Sequence, residues 1–148
     1  LKEEVPETYY TVPLGKADVK RPGEDITVFC YGLMVNYCLQ AADILANDGI
    51  DAEVVDLRTV YPLDKATIIE RSQRTGKVLL VTEDNLEGSI MSEVSAIIAE
   101  NCLFDLDAPI MRLAAPDVPS IPFSPTLENE IMMNPEKIQD KMRELAQF

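Results

Sequence analysis

From Ile26 onward, short β-branched and aromatic runs alternate with stretches of helical period, joined by short connections. That alternation restricts the chain to a few architectures, because each apolar run needs cover on both faces. Ile26-Thr27-Val28-Phe29-Cys30-Tyr31 reads as a buried strand ending at Gly32. Met34 to Asn47 predicts a helix with Met34, Cys38, Ala41, Ala42 and Leu45 on one face, stopped by Asp48-Gly49. Ala52 to Val60 predicts the next strand. Asp64 is the expected N-cap of a second helix and Gly76 its terminator. Lys77 to Thr82 is a strand with the uncharged centre Val78-Leu79-Leu80-Val81. Ser89 to Leu103 is a helix with Ile90, Val94, Ile97 and Ile98 at core spacing, and Pro109 to Ala114 a further strand. Beyond the prolines at 116, 119, 122 and 125, Asn134-Pro135 opens a last helix with Ile138, Met142 and Leu145 inside. The expected fold is α/β: three layers, α/β/α, around a mainly parallel sheet of about five strands.

Residues 1–25 are polar and rich in turn formers (Pro6, Pro13, Pro22, Gly23) and read as a linker leading into a domain over 26–148. Within them Tyr9 to Leu14 is the expected short edge strand. The sequence opens at Leu1 without a methionine, so the chain is expected to be a fragment or a processed product.

Several function classes are excluded by charge and composition. Thirteen Lys and Arg face 26 Asp and Glu, a net charge of −13, which argues against nucleic acid and anionic membranes as partners. No apolar run approaches the roughly 20 residues of a membrane span, and no signal segment opens the chain. The absence of histidine removes the commonest general base and zinc ligand, so no self-sufficient proton-shuttling catalyst is expected. Cys30, Cys38 and Cys102 are an odd number in apolar surroundings, expected to be buried thiols of a cytoplasmic protein.

The acidity is local. Val78 to Glu136 holds eleven acids and one base, Arg112, whereas the two outer parts are nearly balanced. Such a segment is either a well-solvated face or a docking surface for a basic partner. Carboxyl ends of parallel strands are where ligands usually sit, and here they are Tyr31-Gly32-Leu33, Arg58 to Pro62, Glu83-Asp84-Asn85 and Ala115-Pro116-Asp117. Glu83 and Asp84 could hold Mg²⁺ or accept a phosphoryl group, as in a receiver-like signalling domain. The further acids such a site needs after the first strand are missing, so a helix cap or a contact with a neighbouring domain is the preferred role. Arg58 and Arg112 stand in or near strands and call for carboxylate partners, within the chain or across a subunit interface. No dinucleotide-binding glycine pattern, Walker pattern or nucleophile elbow is present.

The segments Val12-Pro13-Leu14-Gly15-Lys16-Ala17-Asp18-Val19-Lys20-Arg21-Pro22-Gly23, Glu53 to Asp64, Leu106 to Leu113 and Pro116-Asp117-Val118-Pro119 carry a family resemblance. The chain resembles, in order and over nearly its whole length, the C-terminal, transketolase-C-like domain of the β subunit of the E1 component of 2-oxo acid dehydrogenase complexes. The Phe104 to Pro109 and Met133 to Lys137 segments resemble those of bacterial branched-chain enzymes. The resemblance implies an oxidoreductase that uses thiamine diphosphate and Mg²⁺, both held by parts outside this chain, including an N-terminal pyrimidine-binding domain that is expected to be absent. Implied partners are the E1 α subunit, a second β subunit and the basic peripheral subunit-binding domain of E2. Asp107 and the carboxylate of Phe148 fall at the family's E2 contacts; Arg58, Glu83, Asp84 and Arg112 are candidate interface residues. The segment Glu83 to Glu93 departs from the small-residue pattern of many members, so it assigns no substrate. A transketolase or deoxyxylulose-phosphate synthase C-terminal domain is the alternative within the fold, disfavoured by the scarcity of bases after Lys77.

Overall fold

Strands apolar on both faces are stable only between two helical layers, and the computed structural model, which describes residue 4 and residues 6–148, has that arrangement. Of the lead-in, residues 1–3 and 5 lie outside the described residues. The strands are β1 (Asp18–Arg21), β2 (Ile26–Cys30), β3 (Ala52–Asp56), β4 (Val78–Asn85) and β5 (Met111–Ala115). The helices are α1 (Leu33–Ala46), α2 (Lys65–Thr75), α3 (Ile90–Cys102), α4 (Pro125–Ile131) and α5 (Pro135–Ala146), with a 3₁₀ turn at Leu103–Asp105. The sheet order is β1-β3-β2-β4-β5, parallel except for the antiparallel pair β1–β3.

Alternation along the strands sorts the core into two layers. Ile26, Val28, Cys30, Val54, Leu79 and Val81 face α1 and α5, meeting Met34, Cys38, Leu45, Ile138, Met142 and Leu145. Phe29, Val55, Val78 and Leu80 face α2 and α3, meeting Ile68, Met91, Val94, Ile98 and Cys102. All three cysteines are free and buried, in keeping with their apolar sequence context.

Three expectations are corrected, and one element is added. The antiparallel edge strand lies at Asp18–Arg21 rather than Tyr9 to Leu14, so part of the lead-in is built into the sheet. β3 ends at Asp56 rather than Val60: the Asp56 carboxylate accepts the Arg58 N–H (2.9 Å), and Arg58 turns into the left-handed region at φ 57°. β4 runs to Asn85 because it regains pairing with β5 at Ala115 beyond an irregularity, which places Glu83 and Asp84 inside the strand. The proline-rich stretch contains a short helix, α4, started by Pro125 in its first turn.

Asp64 caps α2 as expected and does more. Its carboxylate accepts Thr67 N–H and O–H (3.3 and 2.9 Å) and also the Ala17 N–H (3.1 Å), tying the lead-in to the helix start. Burial pushes this carboxyl up, but the Ala17 and Thr67 hydrogen bonds and the Lys16 ammonium outweigh it and hold the group below its ordinary value. A carboxyl depressed in the folded state stabilises above its unfolded value of about 3.9, and that contribution is lost as pH falls through the folded value. We expect Asp64→Ala to cost about 1–2 kcal/mol at pH 7 in urea unfolding. The gap between variant and parent should close as pH is lowered below about 4.

Candidate functional site

Parallel strands give the domain two chemically different ends. At the carboxyl end, Tyr31 O–H and Thr82 Oγ1 share a hydrogen bond (2.9 Å), which ties the ends of β2 and β4. Arg58 donates to Asp18 Oδ2 (2.6 Å), and Lys20 pairs with the same carboxylate (2.8 Å), so of the two kinds of partner open to Arg58, one within the chain is present. The Lys20 hydrogen bond first, then the charges of Lys20 and Arg58, hold Asp18 below its ordinary value despite partial burial. Among the described residues Arg112 takes no carboxylate: it donates to Leu86 O (3.3 Å) and Ser92 Oγ (3.1 Å), pinning the loop between β4 and α3. Neither Glu83 nor Asp84 caps α3, whose N-cap is Ser89; Asp84 instead accepts the N–H of Asn85 (2.9 Å). Glu83 lines a cleft of about 270 Å³ with Asn85, Pro116, Val118, Ile121 and Met132. Around this end Val60, Tyr61, Ile121 and Phe123 stand exposed.

The amino end is built around Gly76-Lys77, just before β4. Gly76 closes α2 in the left-handed conformation at φ 65°, and a Cβ there would collide with Asp107 Oδ2 and press on Asp105 O at 3.0 Å. Glycine therefore lets the loop after the 3₁₀ turn lie against the end of α2, and the Asp107 N–H donates to Gly76 O (2.8 Å). Gln73 donates to Asp105 Oδ2 (2.9 Å). On the opposite layer, Lys77 Nζ reaches Ala146 O (3.5 Å), next to the end of α5 and the exposed Phe148. Asp107 and Phe148, more than 40 residues apart in sequence, thus flank the same strand end. Arg58, Glu83, Asp84 and Arg112 lie away from it, towards the carboxyl end and the β4–α3 loop.

All eleven acids between Val78 and Glu136 are exposed. They do not form one face: Asp105 and Asp107 belong to the amino end, whereas Glu83 and Asp84, in the last part of β4, and Asp117, after β5, belong to the other. Sequence reasoning missed two features. Leu103, read as the last residue of a helix, and Phe104 form the exposed 3₁₀ turn with Asp105, with Phe104 98% exposed. Glu53, read only as a strand position, is fully buried, within 3.2 Å of Thr27 Oγ1 and 3.4 and 3.9 Å of Arg71 and Arg74. An acid flanked by apolar residues in Ala52-Glu53-Val54-Val55, with two arginines three apart on the next helix, was the available signal.

Among the described residues no three His, Cys, Asp or Glu side chains converge to hold a metal ion. Residues 15–138 match the family described as Transketolase, C-terminal domain. The chain is 66% identical over all 148 residues to the 2-oxoisovalerate dehydrogenase subunit beta of Bacillus subtilis, covering 45% of that protein. It is 45% identical over 147 residues to the pyruvate dehydrogenase E1 component subunit beta of the same organism, again 45% of its length. The chain thus spans about half the length of the curated relatives it matches. Among solved structures, a split gene transketolase, described as an inactive beta4 tetramer, superposes with a TM-score of 0.82 at 24% identity, covering 97% of this chain and 47% of that one. This likeness supports the fold.

Proposed function

We infer that this chain, which belongs to the transketolase C-terminal domain family, serves as the C-terminal domain of the β subunit of a 2-oxo acid dehydrogenase E1 component of the branched-chain type. The observation that carries the reading is the 66% identity over the full chain to a 2-oxoisovalerate dehydrogenase subunit, against 45% for a pyruvate dehydrogenase subunit. The intact enzyme decarboxylates a branched-chain 2-oxo acid and passes the acyl group to lipoyl-E2, with thiamine diphosphate supplying the carbanion-stabilising chemistry. The described residues do not fit a Mg²⁺ or cofactor centre of their own: no ligand cluster forms and the sequence has no histidine. Thiamine diphosphate and Mg²⁺ belong, on this reading, to the α subunit and to the N-terminal half of the β subunit.

What the chain's own residues contribute is assembly and docking. The exposed apolar side chains of the carboxyl end (Val60, Tyr61, Ile121, Phe123) suit permanent contacts with the E1 α subunit and a second β subunit, with the loops held in shape by the Arg58–Asp18 pair and by Arg112. The amino end, with Asp107 and Phe148 around Lys77, suits the basic peripheral subunit-binding domain of E2. No helix among the described residues is long and apolar enough to cross a membrane, and the reading places the enzyme in the bacterial cytoplasm.

A domain exchange tests the reading. When the corresponding part of the Bacillus subtilis subunit is replaced by this chain and co-expressed with its α subunit, the hybrid should assemble and reduce a dye acceptor with 2-oxoisovalerate. Its kcat/KM should exceed that for pyruvate by the same factor as in the parent. A hybrid that folds but fails to join the α subunit would contradict it.

A further inference from the structure

We propose that Leu103 and Phe104 form an apolar anchor at the amino end of the sheet, which seats the apolar part of a basic protein partner while acids around it set the approach. The inference rests on the docking role given above to this end of the domain, and adds the residues that hold the partner once it arrives.

The observations concern the turn Leu103–Asp105. An aromatic ring fully in water forfeits the free energy of its burial, and the surrounding chain offers Phe104 no cover: it is 98% exposed and Leu103 60% exposed. Both directly follow Cys102, the buried last residue of α3, so the turn is held by the core while its own apolar side chains point outward. Its position is fixed on the other flank as well, by Gln73 on Asp105 and by the Asp107 N–H on Gly76 O. An outward-facing aromatic on a backbone held from both flanks is the kind of residue that dominates an interface.

Charge specifies the occupant. Glu100, Asp105 and Asp107 are exposed around the turn, and the sequence from Val78 to Glu136 supplies only Arg112, which is engaged at the β4–α3 loop. A second copy of this acidic surface would meet like charge, at a cost. A partner that places lysine or arginine around an apolar patch is complementary in both respects. The long aliphatic stems of those residues would lie across the Phe104 ring, with the charged ends reaching Asp105 and Asp107.

The two parts predict separate kinetic signatures. Exposed acids act mainly on the association rate and its salt dependence, while a desolvated aromatic acts on dissociation. Surface plasmon resonance on the assembled E1 containing this chain, with the E2 peripheral subunit-binding domain as analyte, resolves them. Phe104→Ala should raise the dissociation rate about tenfold or more, leaving the association rate within about twofold and the salt slope unchanged. Phe104→Leu should recover part of the loss. Because the ring is exposed in the free domain, circular dichroism and thermal midpoint should not move. A parent enzyme that binds while Phe104→Ala dissociates at the parental rate would overturn the anchor and leave the docking reading standing. A parent enzyme that does not bind the E2 domain would overturn both.

Discussion

Replacing Glu53 with alanine is expected to destabilise the domain by about 3–5 kcal/mol, the largest effect of any single polar substitution proposed for this chain. The carboxylate is fully buried on β3, where it receives Thr27 from β2 and faces Arg71 and Arg74 on α2. The same arginine, Arg74, donates to Gly23 O in the lead-in, so one buried charge coordinates two strands, a helix and the entry segment. Gly23 itself packs so tightly on the Ala52–Glu53 backbone that no Cβ fits. Removing the carboxylate leaves two guanidinium groups without their shared partner in a space that cannot collapse freely. Because Arg71 and Arg74 keep about a quarter to a third of their side chains in water, the loss should fall towards the lower end of that range. Glu53→Gln, which keeps the shape and the Thr27 hydrogen bond, should cost less than Glu53→Ala. Urea unfolding is the measurement, with a lower midpoint at unchanged slope expected. A shift worth less than about 1 kcal/mol would mean that the network is solvated in the native state.

Asp107→Ala, or removal of Phe148, is expected to weaken binding of the E2 subunit-binding domain by about 2–5 kcal/mol where the contact is desolvated on docking. Asp107 meets that condition better than its neighbours. One of its oxygens already lies against Gly76, whose missing side chain makes the space, and the backbone bond to Gly76 O fixes the residue's direction. An acid held in place has less side-chain entropy to lose when a cation arrives. Glu100→Ala, on the solvent face of α3, should by contrast change affinity by no more than about 1 kcal/mol, chiefly through the association rate. Equal small effects at Asp107 and Glu100 in calorimetric titration would show that the contact stays hydrated.

The fold was largely legible because its signals are local. β2 and the centre of β4 are apolar runs with no other stable home, and Asp64, Gly76 and Asn134 carry their capping roles in their own chemistry. What failed was what depends on distant partners. The end of β3 is decided by the Asp56 side chain and a left-handed Arg58, and a β-branched residue at Val60 read as more strand. The extension of β4 through Glu83 and Asp84 depends on pairing with Ala115, 30 residues away. The apolar and aromatic segment Tyr9 to Leu14 reads as the edge strand, whereas Asp18–Arg21 pairs with β3 despite its charges, as exposed edges often do. For the site, residue types were readable but neighbourhoods were not. That Asp107 and Phe148 flank one strand end follows from α5 and the 3₁₀ turn meeting at Gly76-Lys77 from opposite layers, which no spacing encodes.

Docking of a basic partner of the E1 assembly on the acidic amino end of this domain is the proposal from which the binding predictions follow. Isothermal titration of the E2 subunit-binding domain into the assembled enzyme, repeated at about 0.01 M and 0.15 M salt, tests it most directly, since the screening length falls from about 30 to about 8 Å between them. We expect one site per docking surface, affinity that falls as salt rises, and a shallower salt dependence in Asp107→Ala, since Asp105 and Glu100 remain. Binding that is absent at low salt, or that is indifferent to salt in the parent enzyme, would contradict it.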